Sequence, residues 1–103
     1  MVDLSIVIVN YNTKKLLDDC LQSLAEADVP PGGMEIIVVD NASSDGSQVM
    51  VAEKYPDVTL ITSEENLGFS AGNNRGTAIA KGRYFLFLNS DTRVSREALV
   101  QPL

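Results

Sequence analysis

Four short apolar segments along the chain predict buried β-strands. Their apolar residues are nearly continuous rather than alternating, which is typical of strands that are covered on both faces in a parallel sheet. The third segment is shorter than the others and partly polar. The predicted strands are Leu4–Val9, Met34–Val39, Val58–Thr62 and Tyr84–Leu88.

Helical patterns fill the intervals between these segments. In the first interval, apolar residues recur every three to four positions and form one stripe, which indicates an amphipathic helix. The predicted helices are Lys14–Ala27, Ser47–Tyr55, Ala71–Lys81 and one that begins at Ser95 and is cut short by the end of the chain. The predicted end signals are Thr13 as the first N-cap, Asp45 or Ser47 at the second helix, and Gly82 as the left-handed residue after the third.

Strands and helices therefore alternate in the order β-α-β-α-β-α-β. This order predicts an α/β fold with a mainly parallel, four-stranded sheet, right-handed crossovers and flanking helices. A Rossmann-like arrangement would place the strands in the order 3-2-1-4. The 103 residues fit a single domain. Because the pattern stops abruptly, we expect residues 1–103 to be part of a longer protein, or else an unusually short one.

Charge and rare residue types narrow the classes of function. The formal net charge of −6 disfavours nucleic acid and anionic membranes as partners. A small anion such as a diphosphate can still bind where a metal ion or backbone N–H groups offset the repulsion. The chain has no histidine, which excludes Ser-His-Asp and Cys-His catalysis within it. Its single cysteine, Cys20, is predicted to be a core residue.

The chain also lacks the sequence features of membrane insertion and export. No apolar stretch approaches the roughly 20 residues that a bilayer-spanning helix needs. The first residues, Met1-Val2-Asp3, lack the basic region of a signal peptide. Together these features predict a cytoplasmic protein.

Polar residues follow three of the four predicted strands at the point where each strand ends. These groups are Asn10-Tyr11-Asn12, Asp40-Asn41 and Asn89-Ser90-Asp91. In open α/β sheets, ligands bind outside the carboxyl ends of the strands, where the strand order reverses. With the order 3-2-1-4, Tyr11 and Asp91 would flank one crevice. Each group alone is compatible with turn and cap residues, but their common place on one rim favours a binding site.

Several of these residues are candidates for specific chemistry. Asp91 enters a turn from a buried strand, so its carboxylate is a candidate ligand for Mg²⁺ or Mn²⁺, with a plain turn residue as the open alternative. Asp40 is a candidate acceptor for a base or ribose donor, and Tyr11 is a candidate for stacking on a nucleobase. Glycines that would let a helix approach a ligand or the sheet are Gly68, Gly72 and Gly76.

Four motifs in register carry a family resemblance. They are SIVIVNYN (5–12), IVVDNASSDGS (37–47), NLGFSAGNNRG (66–76) and FLNSDT (87–92). By these motifs the chain resembles the N-terminal half of family 2 glycosyltransferases, especially the bacterial rhamnosyltransferase-like group. The resemblance implies a glycosyltransferase A-type fold that binds a UDP- or dTDP-linked sugar together with a divalent metal, Mg²⁺ or Mn²⁺.

The resemblance also implies roles for individual residues. Tyr11 would lie beside the base, Asp40 would bond to it, and the family's D-x-D motif corresponds to Asn89-Ser90-Asp91. Because Asn89 replaces the first aspartate, it is expected to contact ribose or sugar hydroxyls, which leaves Asp91 as the metal ligand. The predicted nucleotide-binding residues are Asn10, Tyr11, Asn12, Asp40, Asn41, Gly68, Phe69, Asn74, Asn89 and Ser90.

The activity implied by the resemblance is sugar transfer, with inversion, to a saccharide or lipid-linked acceptor. The general base and most acceptor contacts are expected in a C-terminal half that this sequence does not include. The full protein is expected in the cytoplasm or peripherally at the inner membrane, where it would act in cell-wall or polysaccharide biosynthesis. The isolated chain is expected to self-associate.

The alternative function is that of a non-catalytic nucleotide-binding module or degenerate domain. A receiver-like domain and a nucleotidyltransferase are disfavoured because the segment after the first strand lacks clustered acids and a glycine-rich loop.

Overall fold

A computed structural model describes residues 2–99, which form one sheet with helices on both faces. The elements are β1 (Leu4–Asn10), α1 (Lys14–Glu26), β2 (Met34–Asn41), α2 (Ser47–Lys54), β3 (Thr59–Ser63), α3 (Phe69–Ile79) and β4 (Tyr84–Asn89). The strands lie in the order β3-β2-β1-β4, and every pairing is parallel. The predicted α/β fold and the predicted strand order 3-2-1-4 are confirmed.

Helices α1 and α2 cover one face of the sheet. Even-numbered residues of β1 and β2 point toward these helices, because successive side chains of a strand alternate between the two faces. The buried cluster on this face consists of Ile6, Ile8, Leu17, Cys20, Leu21, Leu24, Val38 and Val51. Burial raises the pKa of the Cys20 thiol to about 11, and the negative charge of Asp91 adds to this shift. Cys20 is thus a core residue, as predicted.

Helix α3 covers the opposite face with glycines instead of large side chains. Gly72 and Gly76 are buried. A Cβ atom at Gly72 would lie 2.8 Å from a methyl carbon of Val9, and one at Gly76 would lie 2.5 Å from a methyl carbon of Val7. Any larger residue would push α3 away from the sheet, so the glycine spacing serves close packing of this helix on β1 and β2.

The ends of the elements differ from the predicted ends by at most two residues. The largest shift concerns α3, which begins at Phe69 and ends at Ile79. The prediction that Gly82 is left-handed was wrong, because its φ is not positive and Ala80 ends the helix with extended backbone. Gly82 is needed for a different reason, since a Cβ atom there would lie 2.6 Å from the backbone nitrogen of Ser5.

A single carboxylate serves the first turns of two helices. The backbone N–H of Lys14, at the start of α1, donates to Asp45 Oδ2 at 2.9 Å, and that of Ser47, at the start of α2, donates to Asp45 Oδ1 at 3.0 Å. Although burial alone would raise it, these hydrogen bonds and one from the Ser47 hydroxyl hold the pKa of Asp45 below its ordinary value. Thr13 is the N-cap residue of α1, as predicted, but its side chain makes no capping hydrogen bond. At α2 the N-cap residue is Gly46, which lies between the two predicted candidates Asp45 and Ser47.

The segment after β4 folds back across α1. Val94 N–H donates to Ser23 Oγ at 3.1 Å, and Asp28 N–H donates to the Arg96 carbonyl oxygen at 2.8 Å. The helix predicted from Ser95 is represented by one turn, in which Ala98 N–H donates to the Ser95 carbonyl oxygen at 3.2 Å. The rest of that predicted helix lies outside the described residues.

Strand β4 stands at the end of the sheet and is the most exposed strand. Tyr84, Phe85 and Phe87 are exposed to 63%, 44% and 47%, whereas Leu86 and Leu88 pack against the core below α1. Within residues 2–99, no helix combines the length and the apolar composition needed to cross a membrane.

Candidate functional site

A buried carboxylate lies at the end of β2. Asp40 is 1% exposed. Its Oδ1 accepts hydrogen bonds from Asn10 Nδ2 at 2.8 Å and Ser43 Oγ at 2.7 Å. Its Oδ2 accepts from Ser43 N–H at 2.9 Å and from Gln48 Nε2 at 2.8 Å. A carboxylate has about four acceptor positions, so these four bonds use all of them. Asp40 organises the rim from within, whereas the resemblance implied a direct contact with the base.

Two loops are joined beside Asp40, one after β1 and one after β2. Asn12 N–H donates to Ser43 Oγ at 2.8 Å, and Ser44 N–H donates to Asn12 Oδ1 at 2.8 Å. Asn12 and Ala42 both have positive φ, 52° and 64°. Asparagine tolerates this conformation, but for an alanine it costs about 1–2 kcal/mol. The surrounding hydrogen bonds therefore hold Ala42 in a strained conformation.

Asn41 carries an unpaired acceptor at this rim. Its side chain is 2% exposed, and its Nδ2 donates to the Gly68 carbonyl oxygen at 3.0 Å. Because a carbonyl oxygen only accepts, this bond fixes the orientation of the Asn41 amide. Asn41 Oδ1 is then a buried acceptor for which residues 2–99 provide no donor. Leaving a buried polar atom unpaired is costly, so this oxygen is a candidate acceptor for an N–H or O–H donor, such as a water molecule or a ligand.

The Asn89-Ser90-Asp91 motif forms the other end of the rim. Asn89 is exposed and pairs in register with Val9 of β1. Thr92 N–H donates to the Asn89 carbonyl oxygen at 3.0 Å, which closes a turn. Ser90 Oγ lies 2.8 Å from Thr13 Oγ1. Asp91 is exposed at the turn, and within residues 2–99 its carboxylate takes part in neither an ion pair nor a hydrogen bond.

The described part of the chain presents one carboxylate, that of Asp91, at this turn. Residues 2–99 contain no group of three acidic or cysteine side chains that could hold a metal ion by itself. Mg²⁺ is commonly held by one or two carboxylates together with substrate phosphates rather than by a closed protein cage. The exposed carboxylate of Asp91 fits that mode of binding, in which a diphosphate supplies the other oxygens.

Two aromatic side chains stand at the same rim. Tyr11 follows β1 and Phe69 opens α3, and they are 49% and 52% exposed. Phe69 follows Gly68, whose φ of 89° suits glycine alone. Asn74 is not brought to this rim. It is exposed and lies two residues after the sheet-facing Gly72, on the outer side of α3, because successive helix residues rotate by about 100°.

Three residues that build the rim were not among the predicted site residues. Ser43 and Gln48 hold the Asp40 carboxylate, and Thr13 contacts both Asn10 and Ser90. Ser43 follows Asp40 by three residues, a spacing at which side chains often bond within turns, so its role had a local signal. Gln48 and Thr13 act between loops, and no local pattern indicates their partners.

The fold and the rim define the class of protein. This is an open parallel α/β domain whose polar residues gather at the carboxyl ends of its strands, where such domains bind ligands. The sequence model of the family described as "Glycosyl transferase family 2" matches residues 5–103. The chain belongs to this family.

Curated relatives support the assignment. The chain is 39% identical over 102 residues to a poly(ribitol-phosphate) beta-glucosyltransferase of Bacillus spizizenii, a match that covers 95% of this chain and 16% of the relative. It is 33% identical over 104 residues to the poly(ribitol-phosphate) beta-N-acetylglucosaminyltransferase TarS of Staphylococcus aureus, covering 96% of this chain and 18% of the relative. The chain therefore spans less than a fifth of the length of these two relatives.

Solved structures agree in fold. Residues 1–349 of S. aureus TarS in complex with UDP-GlcNAc match with a TM-score of 0.86 and 30% identity, covering 95% of this chain and 29% of that one. The mannosyltransferase PcManGT from Pyrobaculum calidifontis, in complex with GDP-Man and Mn²⁺, matches with a TM-score of 0.83 and 28% identity, covering 96% and 32%. The A-type glycosyltransferase fold implied by the resemblance is confirmed.

Proposed function

We propose that this chain is the donor-binding half of an inverting glycosyltransferase that uses a UDP- or dTDP-linked sugar. The observation that carries the proposal is the buried, unpaired Oδ1 of Asn41 at the same rim as the exposed ring of Tyr11. A relative of the same family has been solved with UDP-GlcNAc, which supports a uridine-linked donor. In this proposal residues 1–103 form the donor domain, and acceptor binding belongs to a further part of the full protein.

In the proposed site, Asn41 recognises the nucleobase. Uracil and thymine each carry one imide N–H. Asn41 Oδ1 has almost no exposed surface in this structure, so in this proposal the rim opens slightly to let that N–H donate to it. Tyr11 or Phe69 covers the flat face of the base, since both rings are half-exposed at this rim. Asp40 contributes indirectly, because its oxygens are filled by protein donors and it holds Asn10 in place. Asn12 and Gly68 shape the two loops on either side.

The diphosphate end lies at the Asn89-Ser90-Asp91 turn. Asp91 is the proposed ligand for Mg²⁺ or Mn²⁺, and Asn89 is the proposed contact to ribose or sugar hydroxyls. When bound, a divalent cation would supply positive charge that stabilises the departing nucleoside diphosphate. The Mn²⁺ complex of PcManGT supports metal use in a related fold.

Transfer itself requires an acceptor and a general base. In the proposed reaction a hydroxyl of a saccharide or lipid-linked acceptor attacks the anomeric carbon opposite the leaving diphosphate, which inverts the configuration. A base takes the hydroxyl proton. We assign this base to no residue of the chain, so nucleotide binding without transfer is the activity expected of residues 1–103 alone. The same activity, nucleotide binding without transfer, is expected for the second candidate function, a non-catalytic nucleotide-binding module.

The named relatives act on poly(ribitol-phosphate), and we propose a role in cell-wall or polysaccharide biosynthesis for the full protein. We place it in the cytoplasm or peripherally at the inner membrane, where lipid-linked acceptors are found. Nucleic acid is not a proposed partner, because the chain carries a net charge of −6.

A comparison of UDP with CDP tests the base end without any variant. Cytosine has an acceptor where uracil has its imide N–H, so it would face Asn41 Oδ1 with a second acceptor. We expect UDP to bind at least about tenfold more tightly than CDP in calorimetric titrations, since an unpaired buried acceptor costs about 1–3 kcal/mol. Equal affinities would contradict the proposed role of Asn41.

The variant Asn41→Leu gives the matching protein-side test. We expect it to weaken UDP binding about tenfold, to the level of CDP, and so to abolish the preference for UDP over CDP. Gln22→Leu removes an exposed amide on α1 and serves as the control with unchanged UDP affinity. Circular dichroism establishes first that both variants are folded. A folded Asn41→Leu variant with the original preference for UDP would overturn the proposal.

The exposed face of β4 leads us to propose self-association of the isolated chain. Phe85 and Phe87 share one face of this end strand of the sheet, and exposed apolar surface of this kind favours association. Sedimentation velocity is expected to show dimers or larger species at high concentration. A single monomeric species across the concentration range would refute this.

A further inference from the structure

A continuous hydrogen-bond chain links the two ends of the rim. Asn10 Nδ2 donates to Asp40 Oδ1 at 2.8 Å, Thr13 Oγ1 donates to Asn10 Oδ1 at 2.6 Å, and Thr13 Oγ1 lies 2.8 Å from Ser90 Oγ. Thr13 and Ser90 are 77 residues apart in sequence, and they meet because β1 and β4 are neighbours. Within residues 2–99, this is the only side-chain hydrogen bond found to the Asn89–Asp91 turn.

The direction of every bond in this chain follows from the Asp40 carboxylate. An ionised carboxylate only accepts, so the Asn10 amide must present its NH₂ group to Asp40 and its oxygen to Thr13. Thr13 has one hydroxyl proton and donates it to that oxygen. Ser90 must therefore donate its own proton to Thr13, which leaves the Ser90 oxygen with lone pairs and no proton toward a ligand.

The anchoring is strongest at the Asp40 end. Asn10 is 0% exposed and Asp40 is 1% exposed, so these two side chains are held by the core. Ser90 is half-buried at the end of the exposed strand β4, and Asp91 beside it is exposed. Thr13 is the link through which the buried pair restrains the exposed turn.

We propose that Thr13 is a positioning residue that ties the Ser90–Asp91 turn to the buried Asn10–Asp40 pair. It holds the end of the site proposed for the diphosphate in a fixed position relative to the end proposed for the base. The ligand-binding part of this inference rests on the proposed function; the ordering of the turn does not.

Amide hydrogen exchange of the ligand-free chain tests the ordering directly. The reporter is the Thr92 N–H, which closes the turn by donating to Asn89. We expect Thr13→Val to accelerate its exchange about fivefold, the effect of losing one hydrogen bond, while the core amide of Val38 keeps its rate. Thr13→Ser retains the hydroxyl and is expected to restore slow exchange. Thr77→Val removes a comparable hydroxyl from α3 and is the control without effect at Thr92.

Nucleotide binding supplies the second measurement. The ratio of UDP affinity with Mn²⁺ to UDP affinity without it is expected to fall about threefold to tenfold in Thr13→Val and to be retained in Thr13→Ser. Unchanged Thr92 exchange in Thr13→Val, or equal acceleration at Val38, would overturn the positioning role. A wild-type chain that binds no UDP but shows the expected exchange pattern would instead refute the proposed function and leave the positioning role standing.

Discussion

At the β1–β2 end of the rim, Asn10 and Asp40 are buried and hydrogen-bonded to each other, whereas at the β4 end Asn89 and Asp91 are exposed and their side chains make no hydrogen bond found within residues 2–99. Asp40 accepts four hydrogen bonds within the protein, while Asp91 accepts none from residues 2–99. Both are aspartates at the carboxyl end of a strand, on the same edge of the sheet. Their sequence contexts are alike, and their positions in the sheet make the difference.

Strand order explains this contrast. β1 and β2 are the inner strands, so loops from both sides and the start of α3 cover their carboxyl ends. β4 has a neighbour on one side only, and its turn is tied to the rest of the rim through Thr13. The inner end is therefore part of the folded core, and the outer end keeps its carboxylate available for a ligand. We expect loss of the Asp40 carboxylate to affect mainly stability and loss of the Asp91 carboxylate to affect mainly metal-dependent binding.

The largest expected effect is the loss of the Asp40 carboxylate. Asp40→Ala would remove the main acceptor of the buried Asn10 amide and of the half-buried Ser43 and Gln48 donors. We expect it to lower the free energy of unfolding by about 3 kcal/mol. Asp91→Ala, at the outer end, is expected to change it by less than about 0.5 kcal/mol. Urea denaturation of both variants measures this difference, and similar losses of unfolding free energy in the two would contradict it.

A smaller effect is expected at Asp45, which serves the first turns of α1 and α2. Asp45→Ala is expected to lower the free energy of unfolding by about 1–2 kcal/mol, the usual cost of losing an N-terminal capping group. Asp57→Ala, a change of the same kind at an exposed position, is the control. A destabilisation no larger than that of the control would show that Asp45 does not serve both helices.

The acid dependence of stability follows from three lowered pKa values, those of Asp18, Glu35 and Asp45. Although burial alone would raise it, hydrogen bonds from the Ser5 hydroxyl and the Lys81 N–H hold the pKa of Glu35 below its ordinary value of 4.5. Hydrogen bonds from Lys54 and Tyr55 lower the pKa of Asp18, and those to Asp45 lower its pKa, each from an ordinary value of 3.8. Groups with depressed folded-state pKa values contribute stability above the unfolded pKa and lose it as the pH falls through the folded pKa. We expect the urea midpoint to be flat above about pH 5 and to fall below about pH 4. In Asp45→Asn the fall is expected to be shallower; a wild-type slope would contradict this origin.

The smallest effect is expected at Ala42. Glycine there relieves about 1–2 kcal/mol of left-handed strain and costs roughly 0.5–1 kcal/mol in chain entropy, so Ala42→Gly is expected to be neutral or slightly stabilising. Ala52→Gly, in the exposed interior of α2, lacks such strain and is expected to destabilise by about 0.5–1 kcal/mol. Thermal denaturation of the two variants shows whether each substitution raises or lowers the stability. Equal destabilisation would show that the φ of 64° at Ala42 carries no strain.

The strands, their order and the rim followed from the sequence because each rests on a local pattern. Apolar runs such as Leu4–Val9 indicate buried parallel strands, and a polar residue at the end of each run indicates the carboxyl edge. The glycine spacing of α3 also had a local signal, since Gly72 and Gly76 repeat every four residues and face the sheet.

The different hydrogen-bonding roles of the rim residues depend on tertiary partners, and no local sequence pattern predicts them. Asp40 and Asn41 are adjacent in sequence but differ in their hydrogen bonds. The positions of Asn10 and Gln48 show that the acceptor sites of Asp40 are occupied. The position of Gly68 shows that the Asn41 amide keeps an unpaired oxygen. Thr13 occupies the N-cap position of α1, but Asp45, from another loop, accepts the hydrogen bond of the Lys14 N–H at the start of that helix. Its hydroxyl is then available to bond Asn10 and Ser90.

The dependence of UDP binding on Mn²⁺ tests the central claim most directly. Calorimetric titration of UDP into the folded chain is expected to show binding that Mn²⁺ strengthens at least about tenfold, equivalent to about 1.4 kcal/mol. Asp91→Ala is expected to retain the affinity measured without metal and to lose the Mn²⁺ effect, while Asp57→Ala, at an exposed carboxylate outside the rim, keeps it. No UDP binding in the presence of Mn²⁺, or an undiminished Mn²⁺ effect in Asp91→Ala, would contradict the account.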